Sequence, residues 1–456
     1  MSAPGLARVS NLVLRDGKVV RAAELVAHIG AAPREAFGRL RGHFALHLAR
    51  EDGGHVLARD PLGVNKLFFA LGADGEIDSA NHLTDLVRAG HRPDRVWSVP
   101  SGHVARIWPR ERRLVLEKYS TLEFADDAPA DPEELPAHAA RIRAGLDATF
   151  RALRPVLAGR RVYVTLSGGL DSTTIAALAK LHLADVVRSL SGVTFFVRGS
   201  TSDRESEPEP GTDAHFALRV AEALGLPLEI VEVPPDGLLD LLDEVLVAGQ
   251  DFRDFNVHCG LVNAALARAL AERSRPPGTP DGAPGSAPVV LTGDTMNELM
   301  ADYTPVQYGA AEYYALPRLG PGRLRRFLVS GLDTGDREVG IFAHRGIDTI
   351  QPYALHPELY TALPGAYLEA EGAKQRLGRL VMGELVPSFI YDRPKVRAQV
   401  GGSETVGGTL AALVDRGIDG AELERRFCRL TGFDPRDLKR WIRAGLYRFT
   451  SSYPET

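Results

Sequence analysis

Residues 162–174 read Val-Tyr-Val-Thr-Leu-Ser-Gly-Gly-Leu-Asp-Ser-Thr-Thr, and this stretch decides the fold of the chain. Its apolar start is typical of a buried strand, its two glycines of a turn, and its end of a helix start. That arrangement aims backbone N–H groups and a helix N-terminus at one spot, which favours a bound anion. The stretch therefore predicts a phosphate site on the loop from Ser167 to Ser172.

The side chains of this loop indicate the kind of anion. Gly168 and Gly169 let the backbone approach it closely, and the hydroxyls of neighbouring residues add donors. Asp171 would repel a bare phosphate, so its presence indicates a divalent cation between carboxylate and phosphate. The loop has neither the Lys of a P-loop nor the G-x-G-x-x-G spacing of a dinucleotide turn. It predicts a metal-chelated phosphate as ligand.

The string Ser-Gly-Gly-Leu-Asp-Ser at 167–172 resembles the pyrophosphate-binding loop of the ATP pyrophosphatase group, which splits ATP into AMP and pyrophosphate. The resemblance implies a parallel-sheet α/β domain of the adenine nucleotide α-hydrolase type, with ATP and Mg²⁺ as cofactors and Asp171 as a metal ligand. It also implies that Leu166, Val193 and Gly293 lie near the adenosine.

Composition limits the class of protein. With 456 residues the chain is long enough for two domains, and its 44% hydrophobic and 25% charged residues are typical of a soluble globular protein. A formal charge of −5 gives no support for nucleic-acid binding. No apolar run approaches a membrane helix, no signal segment is recognisable, and two cysteines are too few for a disulfide scaffold or zinc site. We expect a cytoplasmic enzyme without nucleic-acid or membrane partners; a homodimer is left open.

The chain divides by pattern into two parts. Residues 1–123 are β-rich, the acidic and Pro-containing stretch 124–134 is typical of a linker, and strands alternate with helices over 135–456. Such alternation predicts a mostly parallel sheet with ligands at the carboxyl ends of its strands. The segments 198–213 and 273–288 are predicted to be loops, and a lid role for the first is left open.

A second strand end carries polar residues. Thr-Gly-Asp-Thr-Met-Asn-Glu-Leu-Met-Ala-Asp-Tyr at 292–303 resembles Ser-Gly-Glu-Gly-Ser-Asp-Glu-Leu-Phe-Gly-Gly-Tyr of asparagine synthetases. Asp294 stands where that family has Glu, and Asn297 where it has a magnesium-binding Asp. The resemblance implies that Asn297 joins Asp171 as a metal ligand, although the exchange removes one negative charge. Four residues match the family directly: Gly293, Glu298, Leu299 and Tyr303.

The resemblance continues towards the C-terminus. The stretch 374–379 is similar to the Lys-x-x-Leu-Arg helix of asparagine synthetases, which implies nucleotide binding by Lys374. Arg-Pro-Lys-Val at 393–396, followed by the glycine-rich residues 400–404, resembles β-lactam and carbapenam synthetases. In those relatives the Lys contacts phosphate and stabilises the acylation transition state, and the glycine-rich tail closes over the substrate. Lys395 is therefore the implied catalytic cation.

The general base is left open between carboxylates. β-Lactam synthetases use a Tyr–Glu pair, and Glu338 falls near their Glu. In those enzymes the Tyr directly follows the Gly that Gly293 matches. This chain has Asp294 at that position. Asp348 is a rival base. It lies four residues before Pro352, and asparagine synthetases carry a Glu four residues before the Pro that Pro352 resembles. A cluster of tyrosines after the motif is expected to pack or to form a pocket wall, although one of its hydroxyls could replace the missing one: Tyr303, Tyr308, Tyr313 and Tyr314.

The N-terminal part has a family resemblance of its own. Ala-Arg-Asp-Pro-Leu-Gly-Val-Asn-Lys-Leu-Phe-Phe at 58–69 resembles Ala-Arg-Asp-Pro-Leu-Gly-Ile-Lys-Pro-Leu-Tyr-Tyr of class II glutamine amidotransferases, which implies an Ntn-hydrolase-like α+β sandwich. Those domains hydrolyse glutamine with an N-terminal Cys. Here the chain starts Met-Ser-Ala-Pro and its first cysteine is Cys259. We predict no glutaminase activity, since a serine hydroxyl is far less ionised than a thiol.

Together these features predict an ATP- and Mg²⁺-dependent amide-forming ligase similar to β-lactam and asparagine synthetases, serving specialised-metabolite biosynthesis. A substrate carboxylate would take AMP from ATP, and an amine would displace the AMP. That amine lies in the same substrate, in a second molecule, or is free ammonia. Two other classes stay open: a catalytically retired nucleotide-binding partner protein, favoured by Asn297 and Asp294, and a tRNA thiolation enzyme, which would need catalytic cysteines and a basic surface.

Overall fold

Antiparallel sheets form the first part of the chain and a parallel sheet forms most of the rest. The computed structural model describes residues 12–20, 33–72, 76–197, 210–274, 287–333, 335–393, 395, 397, 399–400 and 408–436. Some predicted features lie wholly or mostly outside these residues: residues 1–4, the loops at 198–213 and 273–288, and the glycine-rich tail at 400–404. Within the described residues, no helix has the length and apolar character needed to cross a membrane.

The strands are β1 (Leu12–Arg15), β2 (Lys18–Val19), β3 (Leu40–His43), β4 (Ala45–Ala49), β5 (His55–Arg59), β6 (Phe68–Leu71), β7 (Ile77–Ala80), β8 (Trp97–Ser98), β9 (His103–Trp108), β10 (Arg113–Lys118), β11 (Arg161–Thr165), β12 (Ser189–Val197), β13 (Leu228–Val233), β14 (Val289–Leu291), β15 (Val306–Tyr308), β16 (Ala311–Tyr313) and β17 (Asp348–Ile350).

The α-helices are α1 (Pro33–Gly38), α2 (Leu83–Arg88), α3 (Leu135–Leu157), α4 (Leu170–Leu183), α5 (Asp213–Leu224), α6 (Pro235–Leu239), α7 (Leu242–Gly249), α8 (Asp254–Ser274), α9 (Met296–Leu299), α10 (Pro321–Gly331), α11 (Val339–His344), α12 (Glu358–Thr361), α13 (Ala373–Met382), α14 (Gly408–Val414) and α15 (Gly420–Thr431). The 3₁₀ helices are Pro93–Arg95, Pro109–Glu111, Pro132–Glu134, Pro352–Leu355, Gly365–Leu368, Gly383–Leu385 and Ser388–Ile390.

The parallel sheet has the strand order β13-β12-β11-β14-β17. Both of its faces are covered, because Val162 and Val164 of β11 point into one apolar core while Tyr163 between them points into the other. The chain runs outward from β11 to β13 on one side and then continues at β14 on the other. This reversal leaves a crevice at the carboxyl end of β11, where ligands bind in sheets of this kind. The predicted α/β class with a parallel sheet is confirmed.

The N-terminal part is an α+β arrangement of antiparallel sheets. The sheet β7-β6-β8 faces the sheet β10-β9-β5-β4, and Leu57 and Phe69 meet in the apolar layer between them. Val56 and Ala58 point the other way, into a second layer closed by Phe37 of α1. The alternation of β5 therefore serves two cores. The amidotransferase-like character of this part stays a prediction.

Buried charges join the two parts. Arg59 pairs with Asp333, and the Lys66 ammonium donates to the carbonyl of Leu332 at 2.8 Å. The predicted linker is anchored as well, because Asp126, only 4% exposed, pairs with Arg325 of α10. Asp126 therefore serves a buried ion pair, whereas the neighbouring Asp127 side chain is 97% exposed. The predicted domain boundaries at 123 and 135 stay a prediction.

Candidate active site

A cavity of about 250 Å³ opens at the carboxyl end of β11, where the strand order reverses. Its walls come from the ends of β11 and β14, from β12, and from helices α8 and α13. The structure brings almost all of the predicted site residues to this cavity. Those that line it are Leu166, Ser167, Gly169, Asp171, Ser172, Val193, Gly293, Asp294, Asn297, Glu338, Lys374 and Lys395.

The loop after β11 has the expected form of an anion site. The backbone N–H of Ser167 donates to the Ser172 hydroxyl at 3.2 Å, and that of Gly169 donates to the Ser167 hydroxyl at 3.3 Å. The helix α4 begins directly afterwards, so its positive end faces the cavity. Its 14 residues make it a full-length helix dipole. The loop can therefore hold a phosphate group.

Two glycines permit this geometry. Gly168 has a φ of +68°, and a Cβ atom there would lie 2.5 Å from the backbone of Phe216 in α5. Gly168 does not line the cavity, so its role is to let α5 pack against the loop. A Cβ on Gly293 would lie 2.8 Å from the Ser172 nitrogen. Gly293 thus lets the two strand-end loops touch.

Two lysines and three oxygen-bearing side chains form a cluster beside the loop. The Lys374 ammonium lies 2.5 Å from Asp171, 2.7 Å from Asn297 and 3.1 Å from Asp302. The Lys395 ammonium lies 2.6 Å from the Asp302 carboxylate and 2.8 Å from the Asn297 amide oxygen. Sequence comparison predicted four of these residues but not Asp302. The cluster is suited to binding polyphosphate with a cation.

The pKa values follow from burial and from these contacts. Burial would lower the pKa of Lys374, but Asp171 and Asp302 raise it above its usual value. Burial and the adjacent Lys374 lower the pKa of Lys395 to about 8. For Asp302, burial acts upward, yet the two lysines hold the pKa below its usual range. The Lys395 ammonium therefore has a lower pKa than the neighbouring Lys374 ammonium.

Arg393 attaches the C-terminal segment to the phosphate loop. Its guanidinium donates to the Ser167 carbonyl at 2.9 Å and to the Asp213 carboxylate at 2.5 Å, and lies 4.1 Å from the centre of the Phe216 ring. Burial raises the pKa of Asp213 to about 6 although Arg393 opposes it. Asp213 lay inside the predicted loop at 198–213; it is instead the first residue of α5. Arg393 therefore positions Lys395 two residues later.

A second set of charges lies at another wall of the cavity. Arg337 pairs with Glu298 at 2.7 Å and with Glu338 at 2.5 Å. Burial and the negative Glu338 raise the pKa of Asp294 well above its usual value. Burial also raises the pKa of Glu338, even though Arg337 opposes it. The two carboxyls thus have the raised pKa values expected of general bases.

Tyr303 is the tyrosine that reaches this part of the cavity. Its hydroxyl donates to Glu298, and the Arg397 guanidinium lies 4.9 Å from its ring centre. The rest of the predicted cluster does not line the described cavity: Tyr314 bonds to His258, Tyr308 donates to Asp415, and Tyr313 lies in β16. Tyr303 is thus the hydroxyl placed to replace the missing one.

Asp348 does not belong to this site. It pairs with Val289 at the start of β14, and its carboxylate binds Arg160 at 2.9 Å, just before β11 begins. These are the amino ends of the parallel strands, whereas the cavity lies at their carboxyl ends. The hypothesis that Asp348 is a rival base is therefore corrected: the sheet register places it away from the cavity.

The backbone after β14 keeps a glycine-like shape without the glycines. Thr295 has a φ of +79° and Ala301 a φ of +52°, a region that side chains with a Cβ rarely adopt. Both stand where the asparagine synthetase motif has Gly. These two residues therefore carry backbone strain, which is common at functional sites.

The residues present fit a magnesium ion. Asp171 Oδ1 is buried and has no hydrogen-bond partner in the described part of the chain. The described residues contain no group of three or more His, Cys, Asp or Glu side chains that could hold a metal. Mg²⁺ in phosphate sites needs only one or two carboxylates, because phosphate and water supply the remaining oxygens. Asp171 with Asn297 meets that requirement.

Several site residues were not predicted from the sequence. Asp302, Arg337 and Arg397 line the cavity with charge, and Phe255 packs its ring 5.6 Å from that of Tyr303. Asp302 carried a usable signal, because it stands at a glycine of the matched motif. The only sequence signal for Arg337 was its position next to Glu338. The only one for Arg397 was its position close to the Arg-Pro-Lys segment.

Comparisons with known proteins give one family match and several partial relatives. Residues 147–334 match the asparagine synthase family. The chain is 32% identical over 141 residues to the tRNA-specific 2-thiouridylase MnmA of Methylorubrum extorquens (strain PA1), covering 26% of this chain and 35% of that protein. It is 38% identical over 74 residues to the same enzyme of Methylobacterium nodulans, covering 16% and 18%. The chain spans about a third or less of the length of these curated relatives.

Solved structures show only a distant likeness. An NMN synthetase from Francisella tularensis has a TM-score of 0.31 and 14% identity, covering 72% of this chain and 100% of that chain. A glutamine-dependent NAD+ synthetase from Acinetobacter baumannii, in complex with ADP, has a TM-score of 0.28 and 15% identity, covering 75% and 48%.

Proposed function

We propose that the protein is an ATP- and Mg²⁺-dependent amide-forming ligase, because residues 147–334 match the asparagine synthase family. It transfers AMP from ATP to a substrate carboxylate, releases pyrophosphate, and passes the acyl group to an amine. The family match supports the broader class, an ATP-using ligase. The AMP-forming course and the amide product are the proposal.

One observation carries the proposal. The same cavity holds an anion-binding loop, a lysine pair and two carboxyls with raised pKa values. An acyl-adenylate pathway needs all three: donors for pyrophosphate, a cation for the charge that develops, and a base for the amine.

In the first step, a substrate carboxylate oxygen attacks the α-phosphorus of ATP. The bond from that phosphorus to the bridging oxygen breaks, and pyrophosphate leaves onto the loop from Ser167 to Ser172. The Lys395 ammonium neutralises the charge that develops on the phosphate oxygens, an effect worth several kcal/mol in a water-poor site. Asp171 and Asn297 would hold Mg²⁺, which when bound screens the phosphate charge from the carboxylates.

In the second step, an amine attacks the acyl carbon of the adenylate. The bond from that carbon to the AMP oxygen breaks, and AMP leaves. The proton of the amine passes to Glu338 or Asp294, whose raised pKa values favour proton uptake. Tyr303 orients Glu298 and Arg337, which in turn fix Glu338.

The finer assignment follows the resemblance to β-lactam synthetases. We propose an amine within the same substrate or in a second small molecule, and a place in specialised-metabolite biosynthesis. Free ammonia remains a third donor.

A thiolation chemistry, as in the curated relatives' names, has little support in this site. The chain has two cysteines, and the one that lines the cavity is Cys259. Burial raises the pKa of the Cys259 thiol to about 12, so the reactive thiolate is scarce at neutral pH.

The test is isotope exchange between labelled pyrophosphate and ATP, run with a panel of carboxylic acids and with no amine. We expect the label to exchange only in the presence of one class of acid. When an amine is added, we expect the reaction to release AMP. A Lys395→Ala variant should lose most of this turnover while still binding ATP. Release of ADP would overturn the proposal. Absence of both exchange and ATP cleavage with every acid would overturn it as well and leave the retired partner protein as the alternative.

A further inference from the structure

We propose that Asp302 is a ligand of the nucleotide-bound Mg²⁺ and supplies the carboxylate that Asn297 lacks. This inference rests on the proposed function, because it assigns one more residue to the same metal and phosphate site.

The first support is the position of Asp302 in the motif. Set side by side without gaps, the stretch 292–303 has Asn297 where asparagine synthetases have Asp, and Asp302 at the second Gly of their Gly-Gly-Tyr. One position loses a negative charge and another gains one. The chain thus keeps the charge of the motif and moves it along the backbone.

The second support is that the fold returns the moved charge to the same place. The Asp302 backbone N–H donates to the Asn297 carbonyl at 2.9 Å, because the positive φ of Ala301 turns the chain back on itself. The side chains follow, since the Lys395 ammonium contacts both the Asp302 carboxylate and the Asn297 amide oxygen. Asn297 and Asp302, five positions apart in the sequence, are therefore direct neighbours in space.

The third support is that oxygens of three side chains converge on the Lys374 ammonium. Asp171, Asn297 and Asp302 all place an oxygen within 3.1 Å of the Lys374 nitrogen. Asp171 also keeps a buried oxygen without a hydrogen-bond partner in the described part of the chain. Hard divalent cations prefer such oxygens, and Mg²⁺ in phosphate sites is bound through one or two carboxylates. With Asp302 the site reaches two.

The experiment measures metal binding without turnover. Mn²⁺ is titrated into the full-length protein with α,β-methylene-ATP, and free Mn²⁺ is followed by its electron paramagnetic resonance signal. The variants are Asp302→Asn, Asp302→Gly and the swap Asn297→Asp with Asp302→Gly. The control is Asp392→Asn, an exposed carboxylate that pairs with Arg379.

We expect Asp302→Asn and Asp302→Gly to weaken Mn²⁺ binding at least about tenfold, and the swap to return it to within a few-fold of the parent chain. Unchanged affinity in Asp302→Asn, or a swap that binds tenfold tighter than the parent, would overturn the role of Asp302 alone. If the single variants do not fold, the swap decides the question by the same criterion. No uptake of Mn²⁺ by the parent chain would instead overturn the proposed function.

Discussion

The guanidinium of Arg59 and the carboxylate of Asp333 form an ion pair at 2.8 Å, with side chains only 1% and 2% exposed. Arg59 also donates to the backbone carbonyls of Gly63, Val99 and Asp333. It belongs to the string that resembles glutamine amidotransferases, whereas Asp333 follows α10 in the other part of the chain. In this protein that string therefore fastens the two parts together.

Removing the arginine should destabilise the protein strongly. Arg59→Ala removes the guanidinium that pairs with the buried Asp333 carboxylate, and we expect the free energy of unfolding to fall by about 3–5 kcal/mol. Chemical denaturation measures this loss. The control is Arg50→Ala, whose exposed pair with Asp52 should leave the free energy of unfolding almost unchanged. Equal losses in the two variants would contradict the fastening role.

The glycine turn should be intolerant of a side chain. Gly168→Ala combines a φ of +68° with a Cβ 2.5 Å from Phe216, so we expect loss of nucleotide binding by calorimetry and a lower unfolding temperature. Gly159→Ala isolates the collision, because Gly159 has a φ of +72° but no atom within 4 Å of the added Cβ. That control should cost only the backbone strain, about 1–2 kcal/mol. Similar behaviour of the two variants would show that packing against α5 is unimportant.

Activity should depend on the charge of Lys395. Because its pKa is lowered to about 8, the ammonium is present below that pH and is lost above it. We expect kcat/KM for ATP, measured by pyrophosphate exchange without amine, to be level below pH 8 and to fall above it. Lys395→Arg keeps its charge throughout this range, so its profile should show no such fall. An identical fall in that variant would assign the titration to another group.

The two carboxyls with raised pKa values should act on the second step only. Glu338→Gln and Asp294→Asn should retain acid-dependent pyrophosphate exchange but lose at least about tenfold in amide formation. In the parent chain, amide formation should also fall as the pH drops, because protonated carboxyls accept no proton. Asp348→Asn is the matched control and should leave the ratio of the two rates unchanged. Equal loss of exchange and amide formation would point to a purely structural role.

Local pattern was sufficient for much of the fold. The strand and glycine loop at 162–174 could be predicted because adjacent residues determine them, and most of β11 and the start of α4 lie in this stretch. The site residues that were missed depend on distant partners. Asp213 is buried by Arg393, which lies 180 residues later, and nothing in its neighbourhood reveals that pairing. Asp126, outside the site, is likewise held by the distant Arg325. Its acidic, Pro-containing surroundings predicted only a linker and gave no sign of that pairing.

The position of Asp348 shows the same limit from the other side. Its offset from Pro352 favoured a catalytic role, but the register of β17 against β14 decides which end of the sheet it occupies. Asp302 is a case where the motif held the information. Only the turn at Ala301 shows that a residue aligned with glycine reaches the lysine cluster.

The burial of Lys66 has a practical consequence for anyone who trims this protein. Its ammonium is bound by the carbonyls of Gly63 and Leu332, and burial together with Arg59 lowers its pKa to about 8 while Asp336 and Asp333 oppose that shift. An excised ATP-binding half would keep those two aspartates and lose both cations that face them. Such a fragment would expose an acidic patch formed by the two aspartates. Crystallisation or engineering projects should therefore start from the entire polypeptide.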